Sequence, residues 1–322
     1  AKLDLDNPSL KAYTPQEEKA IVKVAKQTGD SPKTVGHVVS KIKEFKTKMI
    51  EYVQNTDERI KQLVNTKGAK ITDDSDPYLK ATLYPGKVAS RIEEAKTYAG
   101  KVLKNIEASK ITRKDVSDYL VARHAPERNA ALGDGAAGIS TKDAVARFEE
   151  LGKNPRIVKI ADQVQALHNH TLEILKDAGV ISDELFTTLR TKYKNHVPLQ
   201  RILEETDDFA GALSGKGFDV RSSGIKSAKG SSKEVDDILN NVITNYEQAV
   251  LRAEKNIVEQ GTLTLARHNK DIFGDLLKEI HPRSIGKTFD GKPIMESTQD
   301  PSILQLFENG KKIWIKIEDP NL

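Results

Sequence analysis

The sequence predicts a mainly α-helical fold: an irregular array of long helices with a small β-hairpin or β-element near the carboxyl end. Three observations carry this. Apolar residues recur at three- and four-residue intervals along most of the chain, capping signals stand where those runs begin, and alternation replaces helical spacing only after Pro282. With 322 residues, 37% hydrophobic and 30% charged, the chain can bury a substantial core.

Thr14-Pro15-Gln16-Glu17 combines an N-cap, a proline at the first helical position and a carboxylate that closes a capping box, so a helix starts there and stops near Gly29. A second begins at Ser31-Pro32, and Val35, Val38, Val39, Ile42, Phe45 and Met49 lead on to Ile60, Leu63 and Val64 in a long amphipathic helix ending about Thr66. Residues 68–77 break the periodicity with Asp73, Asp74, Asp76 and Pro77 and read as a loop. Calcium loops also collect aspartates, but the glycine and the distal glutamate they need are missing here.

Helical spacing resumes from about Val88 to Ile106. Thr112-Arg113-Lys114-Asp115 then opens a helix through Tyr119, Leu120 and Ala122, which Pro126 is expected to end or kink. Residues 133–138, Gly-Asp-Gly-Ala-Ala-Gly, form a small-residue loop, and Ser140 caps the helix after it. A glycine loop before a helix can cradle a phosphate, but no strand precedes this one and the Lys-Ser/Thr of a P-loop is absent, which leaves a connector. Asn154-Pro155 starts a helix to about Lys176, ended by Gly179, and Ser182-Asp183-Glu184 caps a shorter one, the two forming a helical hairpin.

Glycine, serine and lysine dominate 211–232, which reads as an exposed loop and the best interior boundary. A long helix is expected from Ser232 to about Gly261, then a further turn or two from Leu263 to Phe273. Asn309-Gly310 precedes the apolar run Ile313-Trp314-Ile315, and Lys292-Pro293-Ile294-Met295 also reads as strand; a two-stranded element is marginal alone and must pack on helices or pair with strands beyond Leu322. The expected organisation is therefore 1–110, a lysine-rich helical region; 111–210, a central helical region; 211–232, a loop; 233–282, the long helix and its successor; and 283–322, the β-containing segment.

The absence of cysteine excludes disulfides, thiolate chemistry and cysteine-based zinc sites. No run approaches the ~20 apolar residues of a membrane span, and the start lacks a signal-peptide pattern, so a soluble chain is expected. The lack of an initial methionine and the strand-like finish suggest a piece of a longer protein. Residues 1–120 hold 23 basic and 17 acidic side chains, the remainder 28 and 30. That mild excess, with only 5% aromatics, supports no more than weak nucleic-acid contact through the amino-terminal helices.

The densest polar cluster runs from Tyr119 to Asn129. On a helix Tyr119, Arg123 and Glu127 share one face and His124 and Arg128 the next. Such a set can bind a phosphate or carboxylate, or do acid–base work with His124. The plainer reading, preferred here, is an internal hydrogen-bond network tying the helix end to Tyr193, His196 and Arg201 in the segment that exits the later hairpin. His168-Asn169-His170 resembles a nuclease string, but side chains two apart on a helix diverge by about 200° and cannot share a metal. His37, His196, His268 and His281 stand singly, no metal-binding histidine spacing occurs, and nucleophile elbows, P-loops and dinucleotide fingerprints are missing, so no cofactor and no metal are expected.

Three passages, Asp118 to Asn129, Lys192 to Arg201 and Asn309 to Pro320, in this order around a helical hairpin, resemble a module of the large polyvalent proteins of phages and prophages. The resemblance covers roughly Ser117 to Leu322. It implies a helical, non-catalytic stretch of a polyprotein related to internal virion, DNA-ejection or anti-restriction proteins, with enzymatic domains elsewhere. The implied partners are other regions of the parent protein or other virion proteins, in the virion or the bacterial host cytoplasm. Two alternatives stand beside this structural reading: an enzyme with a site around His124, Glu127, Tyr193 and His196, and a non-specific nucleic-acid-binding helical domain.

Overall fold

The computed structural model describes residues 58–65, 67–198, 218–220, 222–223, 237–287 and 293–319. The helix expected from Thr14, most of the one from Ser31 and most of 211–232 lie outside the described residues; residues 58–65 are helical, with Ile60 and Leu63 buried. Among the described residues the fold is mainly α with a small antiparallel β-element near the carboxyl end.

After a 3-10 turn at Asp73–Ser75, α1 spans Pro77–Ser109. It starts earlier than the apolar spacing indicates because Asp76 accepts the Leu79 N–H (3.0 Å) and Pro77 sits in the first turn, where no donor is lost. Helix α2, Arg113–Leu132, opens with a full capping box between Thr112 and Asp115. Pro126 does not end it. The proline removes the donor that would serve the Ala122 carbonyl, but the buried side chains of Ala125 and Asn129 hold the following turn in place.

Ser140 caps α3 (Thr141–Gly152), Asn154 caps α4 (Pro155–Asp177) and Ser182 caps α5 (Asp183–Lys192), each through its side-chain oxygen. Helix α6, Ile238–His268, runs past Gly261 rather than stopping there. Gly261 is needed for closeness rather than for a turn: a β-carbon on it would stand 2.9 Å from the Lys80 side chain and 3.3 Å from Pro77 Cα. A one-turn helix α7, Lys270–Phe273, follows.

Helix α6 is the axis of the molecule, packing against α1, α2 and α4 and buried almost all round. Its apolar side chains Val242, Tyr246, Ala249, Val250 and Ala253 join Val102 and Ile106 of α1, Leu120 of α2 and Val164 and Leu167 of α4 in one core.

Strands β1 (Leu277–Ile280), β4 (Ile303–Glu308) and β5 (Lys311–Ile317) form an antiparallel sheet in the order β1-β5-β4, while β2 (Ser284–Lys287) and β3 (Pro293–Met295) make a separate pair, with a short helix α8 (Glu296–Gln299) after β3. Asn309 and Gly310 both have positive φ (46° and 75°), the backbone of a type I′ hairpin turn. That turn is docked: Gly310 N donates to Gly179 O (3.0 Å) and Asp183 N to Asn309 Oδ1 (3.3 Å), so the hairpin tip rests on the α4–α5 connection. Within 211–232, Phe218, Asp219 and Val220 are buried rather than exposed: Phe218 meets the Tyr84 ring edge-on at 5.2 Å, and Val220 N donates to Gln305 O in β4 (2.8 Å).

Two side chains of α6 join the end of α4 to β4. Asn256 of α6, fully buried, donates through Nδ2 to Ala178 O and Phe307 O (2.8 Å each) and accepts the Phe307 N–H at Oδ1 (2.7 Å). Gln260, one turn on, donates to the same two carbonyls at 3.1 and 3.0 Å. Asn256→Ala leaves the Phe307 N–H without a partner in a dry interior, so the variant is expected to lose about 2–4 kcal/mol of stability, read as a shifted midpoint in urea unfolding.

Candidate functional site

Asp118 to Asn129 lies along α2 and faces both α4 and the segment 193–198 that leaves α5. Tyr119 stacks on Phe148 of α3 at 5.1 Å, and the Arg123 guanidinium lies over the Tyr119 ring at 5.6 Å. Arg123 reaches α4, donating to Asp162 Oδ1 (2.6 Å) and Gln165 Oε1 (3.3 Å). Glu127 reaches the exit segment: its carboxylate accepts from Asn195 Nδ2 (2.7 Å) and Asn195 N (3.3 Å). Gln165 completes the tie by donating to His196 O at 2.9 Å.

Arg128 turns away from this group and donates through Nε to Ala136 O in the glycine loop (3.3 Å). That loop is held by Asn129, whose Oδ1 accepts from Ala137 N (2.9 Å) and whose Nδ2 donates to Ile139 O (2.9 Å). Two further loop amides, of Ala136 and Gly138, donate to Gly133 and Gly135 carbonyls. A phosphate cradle needs such amides free and convergent, so the loop is a connector in chemistry as well as in position. Tyr193 contributes the backbone carbonyl that accepts from His196 N (3.0 Å), while its ring lies under Lys192 Nζ at 5.5 Å. Arg201 lies outside the described residues.

Three histidines meet where these elements cross. The His196 ring lies 5.1 Å from His124, nearly perpendicular, and 5.1 Å from His168, with His196 Nδ1 3.1 Å from His168 Nε2. His124 and His168 are 2% and 3% exposed. Among the described residues neither ring nitrogen of His124 has a hydrogen-bond partner, nor does Nδ1 of His168; Glu127 stands 3.9 Å from His124 Nδ1. Burial first, then the like-charge influence of His124 and Arg190, pushes His168 down to about 4; burial, with His168, His124 and Arg128, holds His196 well below the usual imidazole range.

His168 and His170 diverge as the helical spacing requires. His170 is exposed and pairs with Glu173 (3.1 Å), whereas His168 enters the cluster. The signal for His168 was in the sequence: it stands four residues after Val164, on the same stripe that lines the core. Among the described residues, no group of three histidine, aspartate or glutamate side chains is arranged to hold a metal ion. A shallow open groove of about 440 Å³ lies along α1, lined by Ser90, Glu93, Glu94, Thr97, Tyr98 and Lys101, and includes none of the cluster.

A second polar group escaped the sequence reading. Glu254, Lys255 and Glu259 of α6 and Asp219 are all buried, with Glu254 paired to Arg91 Nε at 3.0 Å. Neither oxygen of Glu259 has a partner among the described residues, and burial, reinforced by Asp219 and opposed by Lys255, pushes its carboxyl up to about 8. Glu259 is therefore a neutral acid at pH 7. Its proton is bound more tightly in the folded chain than in the unfolded one, whose value is the ordinary 4.5. The stability that Glu259 contributes is thus full below about 4.5, falls as pH rises and levels off above about 8. Glu259→Gln is expected to abolish that decline and to exceed the parent at pH 9 by roughly 3–5 kcal/mol, measured by urea unfolding across the pH range.

Compared with protein-family models, curated proteins and solved structures, the chain has no significant match.

Proposed function

We propose that the chain is a non-catalytic structural and interaction module of a large phage or prophage protein, carried in the virion and delivered with DNA. The observation that carries the structural half of this reading is that the polar side chains of α2 are bonded to neighbouring elements of the same chain. Arg123 is spent on Asp162 and Gln165, Glu127 on Asn195, and Tyr119 on Phe148, so the cluster ties α2 to α3, α4 and the exit of α5. The phage half is supported by the three resembling passages. Two of them are joined directly through Glu127 and Asn195, and the third carries the hairpin turn that rests on the helical hairpin between them.

No helix among the described residues is long and apolar enough to cross a membrane. The interaction surface of the reading is that of the long helices: the exposed side of α1, and the helix expected from Ser31 to Thr66, most of which lies outside the described residues; α6 is enclosed and packs within the molecule. Its partners are other parts of the parent protein or other virion proteins.

A clasp has a measurable coupling. In a double-mutant cycle of Glu127→Ala and Asn195→Ala, the coupling energy is expected at about 1.5–3 kcal/mol, the range for hydrogen bonds to a charged group, and a value near zero would remove the clasp. The larger reading is tested by mass spectrometry of particles purified from the encoding phage or induced prophage. Peptides from residues 77–198 are expected in the particles; their presence in the lysate but not in the particles would overturn virion carriage.

A further inference from the structure

Residues 193–198 are fastened in an unusual way. Among the described residues, the only backbone–backbone bond within the segment is the local one from His196 N to Tyr193 O, and none joins it to another element. Its attachment consists of the bonds from Asn195 to Glu127 and from Gln165 to His196 O, a 3.4 Å contact from Asn241 of α6 to Pro198 O, the buried side chains of Val197 and Pro198, and the histidine contact. A segment held by side chains alone opens without breaking a helix or a sheet.

The histidine contact is sensitive to protons by its geometry. At 3.1 Å, one of His196 Nδ1 and His168 Nε2 must donate and the other accept, which requires an unprotonated nitrogen. A second proton at this contact puts N–H against N–H and places charge between a buried ring, His168, and a half-buried one, His196. The groups that face it do not favour that charge. From α2 come His124, the more distant Arg123 and Arg128, and Glu127, whose carboxylate is already engaged by Asn195. From α4 comes His168 and from α5 Arg190, while Lys194 of the exit segment is exposed; the residue α6 contributes is the neutral Asn241. Among the described residues His168 Nδ1 has no hydrogen-bond partner, so no acceptor stands ready for a proton added to that ring.

We propose that the His124–His168–His196 cluster is a proton-operated latch: mild acid releases residues 193–198 from α2 and α4 while the α6 core stays folded. The proposal rests on the clasp reading, since it is the clasp that the protons open. The tendency of burial to hold His168 and His196 neutral agrees with it, because protons that the closed form rejects are accepted once the segment leaves.

The test is amide hydrogen exchange on the full chain at pH 7.5 and pH 5.0, corrected for intrinsic rates. Protection of the Asn195 and His196 amides, the two in the segment that donate hydrogen bonds among the described residues, is expected to fall tenfold or more at the lower pH, with residues 249–258 of α6 retaining theirs. In the double variant His168→Gln with His196→Asn, whose amides can bridge the same two positions without titrating, protection is expected to be independent of pH. Unchanged protection of these two amides in the parent protein, a fall shared equally by α6, or an identical fall in the variant would each overturn the latch. If the variant does not fold, ring-proton titration of the parent by NMR decides: His168 and His196 titrating together with the loss of protection supports the latch, and titration without opening refutes it. Failure of the clasp is separately visible, as a Glu127→Ala chain with undiminished protection of the same two amides at pH 7.5.

Discussion

The carboxamide of Asn256 sets the geometry on which the rest of the structure depends. A helix interior offers no backbone groups to its neighbours, since each N–H and C=O is used within the helix. Helix α6 therefore has to grip the end of α4 and the edge strand β4 with side chains, and an amide is the side chain that can donate and accept at once. By taking both polar groups of Phe307 together with the Ala178 carbonyl, Asn256 fixes the sheet at one height along α6. The surrounding apolar contacts would tolerate sliding; a buried amide does not, because any shift strands a donor in a place without water.

The same logic runs through the polar cluster of α2. Arg123, Glu127 and Asn129 each satisfy backbone or side-chain groups of a different neighbour: α4, the exit of α5 and the glycine loop. Buried or half-buried hydrogen bonds of this kind add modest net stability but exclude other packings of the same helices. In a molecule whose core is otherwise built from interchangeable aliphatic side chains, they specify which helix lies beside which.

The parts of the fold that were legible in the sequence are those governed by local chemistry. Thr112 with Asp115, Ser140, Asn154 before Pro155, Ser182 and the Asn309-Gly310 pair each satisfy backbone groups within a few residues, so their meaning does not depend on distant parts of the chain. The illegible parts are those decided by tertiary contact. Pro126 is carried inside a helix because Ala125 and Asn129 are buried on either side of it. Gly261 reads as a stop until α1 is seen lying against it. Helix α6 misleads a periodic reading because it is enclosed on nearly every side, so Glu254, Lys255 and Glu259 occupy positions that spacing alone assigns to solvent. Arg123, His124, Glu127 and His196 group together in the sequence, whereas the stripe shared with Val164 marks His168 only as facing the core, because nothing local distinguishes an imidazole that meets a partner from one that only fills a stripe.

The docking of the hairpin tip on Gly179 and Asp183 has a topological consequence. The chain passes through α4 and α5, returns along α6 to pack on α1 and α4, and with β4 and β5 closes on the α4–α5 connection. The two stretches on either side of residues 199–236 are thus interlocked through α4 with α6, α1 with α6, and the turn with the α4–α5 connection. A peptide bond cut between them would leave fragments that remain assembled, each supplying the half of the interior that the other lacks.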